Sequence, residues 1–528
     1  MLILQNLSYK HPDKDLLFAN INLTVNNQDK VALVGNNGVG KSTLLQIIAG
    51  LLPASEGLMQ VNTTPYYVPQ VFGQYNHFTV AESLQAADKL NALQEILDGN
   101  LSEANYKLLN DDWTIEERCF DALQYWQLDG ITLHQKMETL SGGQKTKVLL
   151  AGIGLNTPEF ILLDEPSNHL DTAGRNLLYD FIESSANTLI VVSHDRALLN
   201  RLSMVCELSR NNIKIYGGNY DFYAAQKKLE LNALNEDVRN KKKALRKARE
   251  KERTTMERQQ KLDSRGRKKQ EKAGLPTISI NTFRNNAEKS TSRLKDVHAE
   301  KTGALAEELN TLRKELPGIE IMKFYFDNAA LHTGKILLRA NDINFTYGNG
   351  WLWRHDLHLE IASGERIALK GLNGSGKTTL IKIILGKLSI GKGTVYSAID
   401  KAVYIDQDYS LIDNRLTVYE QAQQFNNSGL QEHEIKIRLN RFLFIQEFWD
   451  KSCSGLSGGE RMRLMLCCLT ISNKAPDLIV LDEPTNNLDI QNIEILTAAI
   501  NEYRGTLIVV SHDEVFLKET GVTRLIKV

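Results

Sequence analysis

Two glycine-rich octets in this chain each end in a lysine and a hydroxyl residue. Gly35-Asn36-Asn37-Gly38-Val39-Gly40-Lys41-Ser42 and Gly371-Leu372-Asn373-Gly374-Ser375-Gly376-Lys377-Thr378 both read G-x-x-x-x-G-K-[ST]. Glycines let successive backbone N–H groups close round a β-phosphate, and the first turn of a following helix adds partial positive charge. Lys41 and Lys377 would reach the β- and γ-phosphates of a nucleoside triphosphate, and Ser42 and Thr378 would hold Mg²⁺. Thr43 and Thr379, next in line, belong to the same binding stretch.

Further residues of matching chemistry follow each octet in the same order. Gln70 and Gln407 are placed to coordinate Mg²⁺ and sense a γ-phosphate. Ser141-Gly142-Gly143-Gln144 and Ser457-Gly458-Gly459-Glu460 each open a helix and offer a second anion cradle. Phe160–Glu165 and Leu478–Glu483 are apolar runs ending in two carboxylates. Asp164 and Asp482 would hold Mg²⁺ through its shell, while Glu165 and Glu483 would orient and polarise the attacking water. His194 and His512 follow the runs Thr188–Val192 and Thr506–Val510, where a ring can touch the γ-phosphate. Tyr9 and Tyr347 are aromatics able to stack on a purine.

The elements these groups need are legible around them. The run Val31–Val34 suits a buried strand, and Thr43–Ala49 suits a helix that Gly50 ends. At an offset of 336, residues 31–57 and 367–393 are identical at 14 of 27 positions, so one domain occurs twice. The spacing from glutamate to histidine is 29 residues in both copies (194 − 165 and 512 − 483). From glutamine to the signature serine it is 71 in the first (141 − 70) and 50 in the second (457 − 407), which places about 21 extra residues within 71–140 of the first copy. That region lacks strand alternation and reads mostly as helix.

The 528 residues allow two or three domains with their own cores. No apolar run approaches the roughly 20 residues of a membrane span, and the N-terminus carries no secretory pattern. Cys119, Cys206, Cys453, Cys467 and Cys468 are odd in number and without metal spacing, which points to reduced, packed thiols in a cytosolic protein.

The net charge of −1 hides a local extreme. Residues 238–284 hold 17 Lys and Arg against 5 Asp and Glu, a net of +12, which leaves −13 elsewhere. They lie in a helix-former-rich stretch over 226–317, interrupted near Gly274-Leu275-Pro276 and read as a helical hairpin. Leu231, Leu234, Val238, Leu245 and Ala248 face Leu305, Leu309, Leu312 and Leu316 at heptad spacing, a pattern for an antiparallel coiled coil. The tip, about 249–293, has almost no apolar seam, so a polyanion, most simply RNA or DNA, is the expected partner.

The ordered set of glycine octet, Gln70, Leu140–Gln144, Phe160–Glu165, Ser167–Asp171 and His194 resembles the ATP-binding cassette ATPases. Two such cassettes, a basic helical linker, Asn168-His169-Leu170-Asp171 and Tyr216-Gly217-Gly218-Asn219-Tyr220 together resemble the ABC-F family over essentially the whole chain. The resemblance implies an α/β fold of two tandem P-loop ATPase domains with helical subdomains, at 1–225 and 318–528, joined by the linker at 226–317. It implies that Tyr9 stacks on adenine, and that two cassettes meet head to tail, each signature capping the other's P-loop. It further implies ATP and Mg²⁺ as ligands, ATP hydrolysis, and a monomeric, cytoplasmic protein bound at the ribosomal E site. Its linker would reach rRNA and P-site tRNA, in translation or in protection from antibiotics. Ser167 departs from the family's usual threonine, and the extra 21 residues sit where some members carry a ribosome-contacting arm.

Overall fold

The computed structural model describes residues 1–11, 16–272, 292–293, 296–312, 334–348, 350–372, 374–472, 475–486 and 488–528. Asn373, Leu316 and the hairpin interruption expected near Gly274 lie outside them. The chain forms two compact units, one of Met1–Phe222 with Ile321–Val528, the other of Tyr223–Glu320.

Within the larger unit the repeat is visible as two sheet pairs. The first half has a six-stranded sheet in the order Tyr66–Val68, Phe160–Asp164, Thr188–Val192, Lys30–Val34, Met204–Leu208, Ile213–Tyr216. Its first five strands are parallel and the last is antiparallel. The second half has a five-stranded parallel sheet, Ala402–Ile405, Leu478–Asp482, Thr506–Val510, Arg366–Lys370, Arg524–Lys527. Uninterrupted runs such as Thr188-Leu189-Ile190-Val191-Val192 suit strands covered on both faces, and every residue of that strand is buried. Each fully buried Val, Leu or Ile contributes about 1.5–3 kcal/mol.

A three-stranded antiparallel sheet packs beside each main sheet: Leu16–Val25, Leu2–Lys10, Glu56–Val61, and Leu357–Ala362, Ile336–Asn344, Lys392–Ser397. Leu7 pairs with Ile21 and Ile343 with Leu357, so the offset of 336 holds through these strands.

The extra residues of the first half are placed by two landmarks. The capping box of Thr79 and Glu82 repeats as Thr417 and Glu420, an offset of 338. The buried pair Cys119 and Leu123 repeats as Ile435 and Leu439, an offset of 316. The insertion therefore lies between 82 and 119, where helices Ala87–Leu97 and Glu103–Leu109 pack on each other.

The smaller unit holds most of one 53-residue helix, Tyr220–Lys272, about 80 Å long at 1.5 Å per residue. Residues 296–312 return as helix. Leu245 and Leu309 are the buried members of the apolar seam, and Lys241 pairs with Glu308 between the arms. Both leucines line a cleft of 560 Å³ together with Lys242, Arg246, Arg249, Glu250 and Arg253. Among the described residues no helix is long and apolar enough to cross a membrane.

Candidate nucleotide-binding sites

Four neighbouring strands of the first half end on one rim, and each delivers one expected group. Lys30–Val34 leads into the glycine octet, Phe160–Asp164 into Glu165, Thr188–Val192 into His194, and Tyr66–Val68 into Gln70. Their carboxyl ends surround a cavity of 390 Å³ lined by Asn37, Lys41, Ser42, Gln70, Asp164, Glu165 and His194.

The octets adopt the geometry their glycines permit. Gly40 and Gly376 cap their helices at φ 103° and 94°. A Cβ on Gly40 would lie 2.8 Å from Leu17 and Phe18, and one on Gly376 would lie 2.8 Å from Leu352 and Trp353. Lys41 Nζ donates to Gly35 O at 2.7 Å, and Lys377 Nζ to Gly371 O at 2.8 Å. Burial lowers both ammonium pKa values, against the opposing charge of the nearby carboxylates.

The carboxylates are held by strained backbone. Glu165 and Glu483 stand at φ 51° and 48°, a conformation non-glycine residues seldom adopt, and it is kept at functional sites. Their N–H groups donate to Val192 O and Val510 O, both at 2.8 Å. Each faces its histidine: His194 Nε2 is 3.3 Å from Glu165 Oε1, and His512 Nε2 is 3.4 Å from Glu483 Oε1. Burial raises the Glu165 carboxyl, with Lys41 opposing, and raises Glu483 to about 7 with Arg175 opposing. Burial lowers His194 to about 3 and His512 to about 4, so both rings are neutral at pH 7.

Buried Asp164 Oδ1 has no hydrogen-bond partner, while Oδ2 accepts from Tyr67 at 3.3 Å. Asp482 Oδ2 accepts from Tyr404 at 2.7 Å. Burial raises the Asp164 carboxyl, with the Ser42 hydroxyl beside it opposing. A carboxylate with a free buried oxygen, a hydroxyl and an amide is the oxygen set that suits Mg²⁺ shared with phosphates. Among the described residues no group of three or more His, Cys, Asp and Glu is poised to hold a metal by itself. Tyr67 and Tyr404 were not singled out by sequence reasoning, although each stands three residues before its glutamine in both repeats.

Some expected residues are placed differently. Tyr9 is 8% exposed, in the core with Phe18 at a ring separation of 6.2 Å, and it does not line the cavity. The cavity aromatic is His11, which the 336 offset pairs with Tyr347. This corrects the adenine role given to Tyr9, whose repeat partner is Phe345. Tyr347 is 73% exposed and its hydroxyl meets Thr379 Oγ1 at 2.8 Å. Gln144 and Glu460 turn back onto Ser141 N and Ser457 N at 2.9 and 2.8 Å, closing capping boxes on their own helices. The signature residues are not among the cavity's lining.

The segments after the glutamates cross between halves. Asp489 Oδ2 accepts the Asn37 backbone N–H at 3.0 Å, and Thr172 Oγ1 lies 3.0 Å from His512 Nδ1. Arg196 Nη1 meets both carboxylate oxygens of Glu519 at 2.8 Å.

A family model described as ABC transporter matches residues 18–168 and 354–486. The chain is 31% identical over 555 residues to the putative ATP-binding protein YdiF of Bacillus subtilis, spanning 100% of this chain and 80% of that one. It is 29% identical over 537 residues to ABC transporter F family member 5 of Arabidopsis thaliana, spanning 95% and 71%. Among solved structures, the archaeal ribosome recycling factor aABCE1, in complex with the stalk protein aP1, shares the fold at a TM-score of 0.61 and 19% identity. That match covers 99% of this chain and 87% of the other.

Proposed function

We propose, for a chain that belongs to the ABC-F family of ATP-binding cassette proteins, a cytoplasmic, monomeric ATPase that acts on the ribosome. Its working parts are the cassettes 1–225 and 318–528 and the linker 226–317. One composite site joins the first octet, Gln70, Asp164, Glu165 and His194 to Ser457-Gly458-Gly459. The other joins the second octet, Gln407, Asp482, Glu483 and His512 to Ser141-Gly142-Gly143. The observation that carries this reading is the reach of Asp489 to the Asn37 N–H, from one half into the phosphate loop of the other.

Ser42, Gln70 and Asp164, and Thr378, Gln407 and Asp482, are the groups to hold Mg²⁺, which neutralises phosphate charge when bound. Glu165 and Glu483 orient water in line with the γ-phosphate. His194 and His512, neutral and facing those glutamates, offer a ring N–H to a phosphate oxygen. His11 and Tyr347 supply the flat face for adenine.

The linker supports the ribosomal assignment through charge: a net of +12 over 238–284, a stretch that begins on the long helix Tyr220–Lys272, suits RNA phosphates. E-site occupancy with the linker toward P-site tRNA, in translation or in antibiotic protection, fits that length. The fold's likeness to a ribosome recycling factor is in keeping with it. Co-sedimentation with ribosomes in a non-hydrolysed ATP analogue tests the reading. ATP-dependent pelleting is expected, and pelleting independent of ribosomes, or none, would overturn it.

A further inference from the structure

The two halves repeat each other's catalytic groups but not what they lend across the interface. An offset of 318 pairs Glu165 with Glu483, His194 with His512 and Asp171 with Asp489. The same offset pairs Thr172 with Ile490 and Arg175 with Ile493. Helix Thr172–Ser184 begins at Asp171, whose carboxylate caps it through the Gly174 N–H at 2.9 Å, and its first turn faces the second half.

Two consequences follow from the geometry. Thr172 Oγ1 lies 3.0 Å from Nδ1 of His512. His194 Nδ1, its counterpart, is buried without a hydrogen-bond partner, and the Ile490 side chain has no polar atom to give it one. Arg175 is buried, with Nη1 3.5 Å from Asp195 Oδ2 and Nε donating to Leu170 O at 3.3 Å. It lines a narrow crevice with Glu165, His194 and Asp195 of its own half and Thr485, Asn486 and Asp513 of the second.

The chemistry of these contacts favours one site. A Thr172 hydroxyl donating to Nδ1 puts the proton of neutral His512 on Nε2, the nitrogen that faces Glu483. That tautomer is a ready donor to a γ-phosphate oxygen. The position that matches Thr172 in the other half is Ile490, which offers the first site no such side-chain hydroxyl.

We propose that Thr172 is a positioning residue that acts from the first half on the second ATP site, and that this site hydrolyses ATP faster than the first. The inference rests on Glu165 and Glu483 being the water-orienting groups.

Single-turnover quench of the full chain loaded with Mg-ATP tests it, because each variant then reports on its one intact site. ADP should form faster in Glu165→Gln than in Glu483→Gln. Adding Thr172→Val to Glu165→Gln should slow the step by about five- to tenfold, the loss of one well-placed hydrogen bond. Thr172→Ser should restore it, and Thr172→Val should leave the rate in Glu483→Gln unchanged. Thr172 is exposed apart from this contact, so the variant keeps its fold. Equal slowing in both backgrounds, or none in either, would overturn the inference alone. ADP formation at the unmutated rate in the Glu165→Gln/Glu483→Gln double variant would instead overturn the glutamate assignment, and the inference with it.

Discussion

Asp489 of the second half accepts a hydrogen bond from the backbone N–H of Asn37, in the phosphate loop of the first, at 3.0 Å. Its other oxygen accepts the Asn492 N–H at 2.8 Å and so caps its own helix. One carboxylate therefore joins a helix start to a loop 452 positions away. Asp489→Ala should lose about 1 kcal/mol of stability through the cap, and should also weaken ATP binding at the first site. Denaturant midpoints and titration with a fluorescent ATP analogue check both, and unchanged ATP affinity would mean the cross-contact does not shape the loop.

Tyr9 and His11 separate packing from binding. Tyr9 packs among Leu7, Phe18 and the rest of that core, so Tyr9→Ala should cost about 3 kcal/mol or more, as for other large core deletions. His11→Ala should leave the melting temperature nearly unchanged and weaken ATP binding to the first site, and Tyr347→Ala should do the same for the second. A Tyr9→Ala protein of normal stability with lost ATP affinity would return the adenine role to Tyr9.

These two residues also mark how far sequence reasoning reaches here. The octets, the carboxylate pairs and the histidines were legible because their chemistry is local: a strand, a tight turn and the next residue suffice. Tyr9 misled because an aromatic near a strand end satisfies the pattern whichever way it faces, while the constant offset that aligns His11 with Tyr347 went unused. The 21-residue insertion was countable from spacings, but its place between 82 and 119 needed the buried pairs Cys119–Leu123 and Ile435–Leu439. Thr172 carried no signal at all, because its contact with His512 depends on how two distant halves pack, which no local pattern encodes.

Glu165→Gln with Glu483→Gln should bind ATP and turn it over at least about a hundredfold more slowly, since charge that develops in the transition state loses its preorganised partner. The amide keeps the shape, so the protein should stay closed on ATP. Steady-state phosphate release against nucleotide retention on a desalting column checks this, and a normal kcat would remove both glutamates from the water-orienting role.

All five cysteines are free and buried. Burial raises Cys119 and Cys453 to about 11 and Cys206 to about 12, and it raises Cys467 and Cys468 too. Little thiolate exists at pH 8, and little of it is accessible. A thiol-reactive chromophore should therefore count close to no groups in the native protein and all five after denaturation. Rapid labelling of Cys467 or Cys468 in the folded chain would contradict their packing.

The linker prediction turns on charge without burial. Arg258, Lys261 and Arg265 lie on helix Tyr220–Lys272, and Arg258 and Lys261 pair with no acidic group among the described ion pairs. Changing them to Gln together with Arg267, Lys268 and Lys269 removes six positive charges from the basic centre. None of the six belongs to the nucleotide-binding motifs, so basal ATPase activity and melting temperature should persist. Ribosome binding should fall, and its dependence on salt should flatten, because each phosphate neutralised contributes roughly 0.7 to 0.9 log units per log unit of salt. The Glu165→Gln/Glu483→Gln background is the one to use, since it holds the ATP-bound state long enough to titrate. Affinity and salt slope both unchanged, with translation unaffected, would make the helix a spacer and place RNA contact elsewhere in the chain.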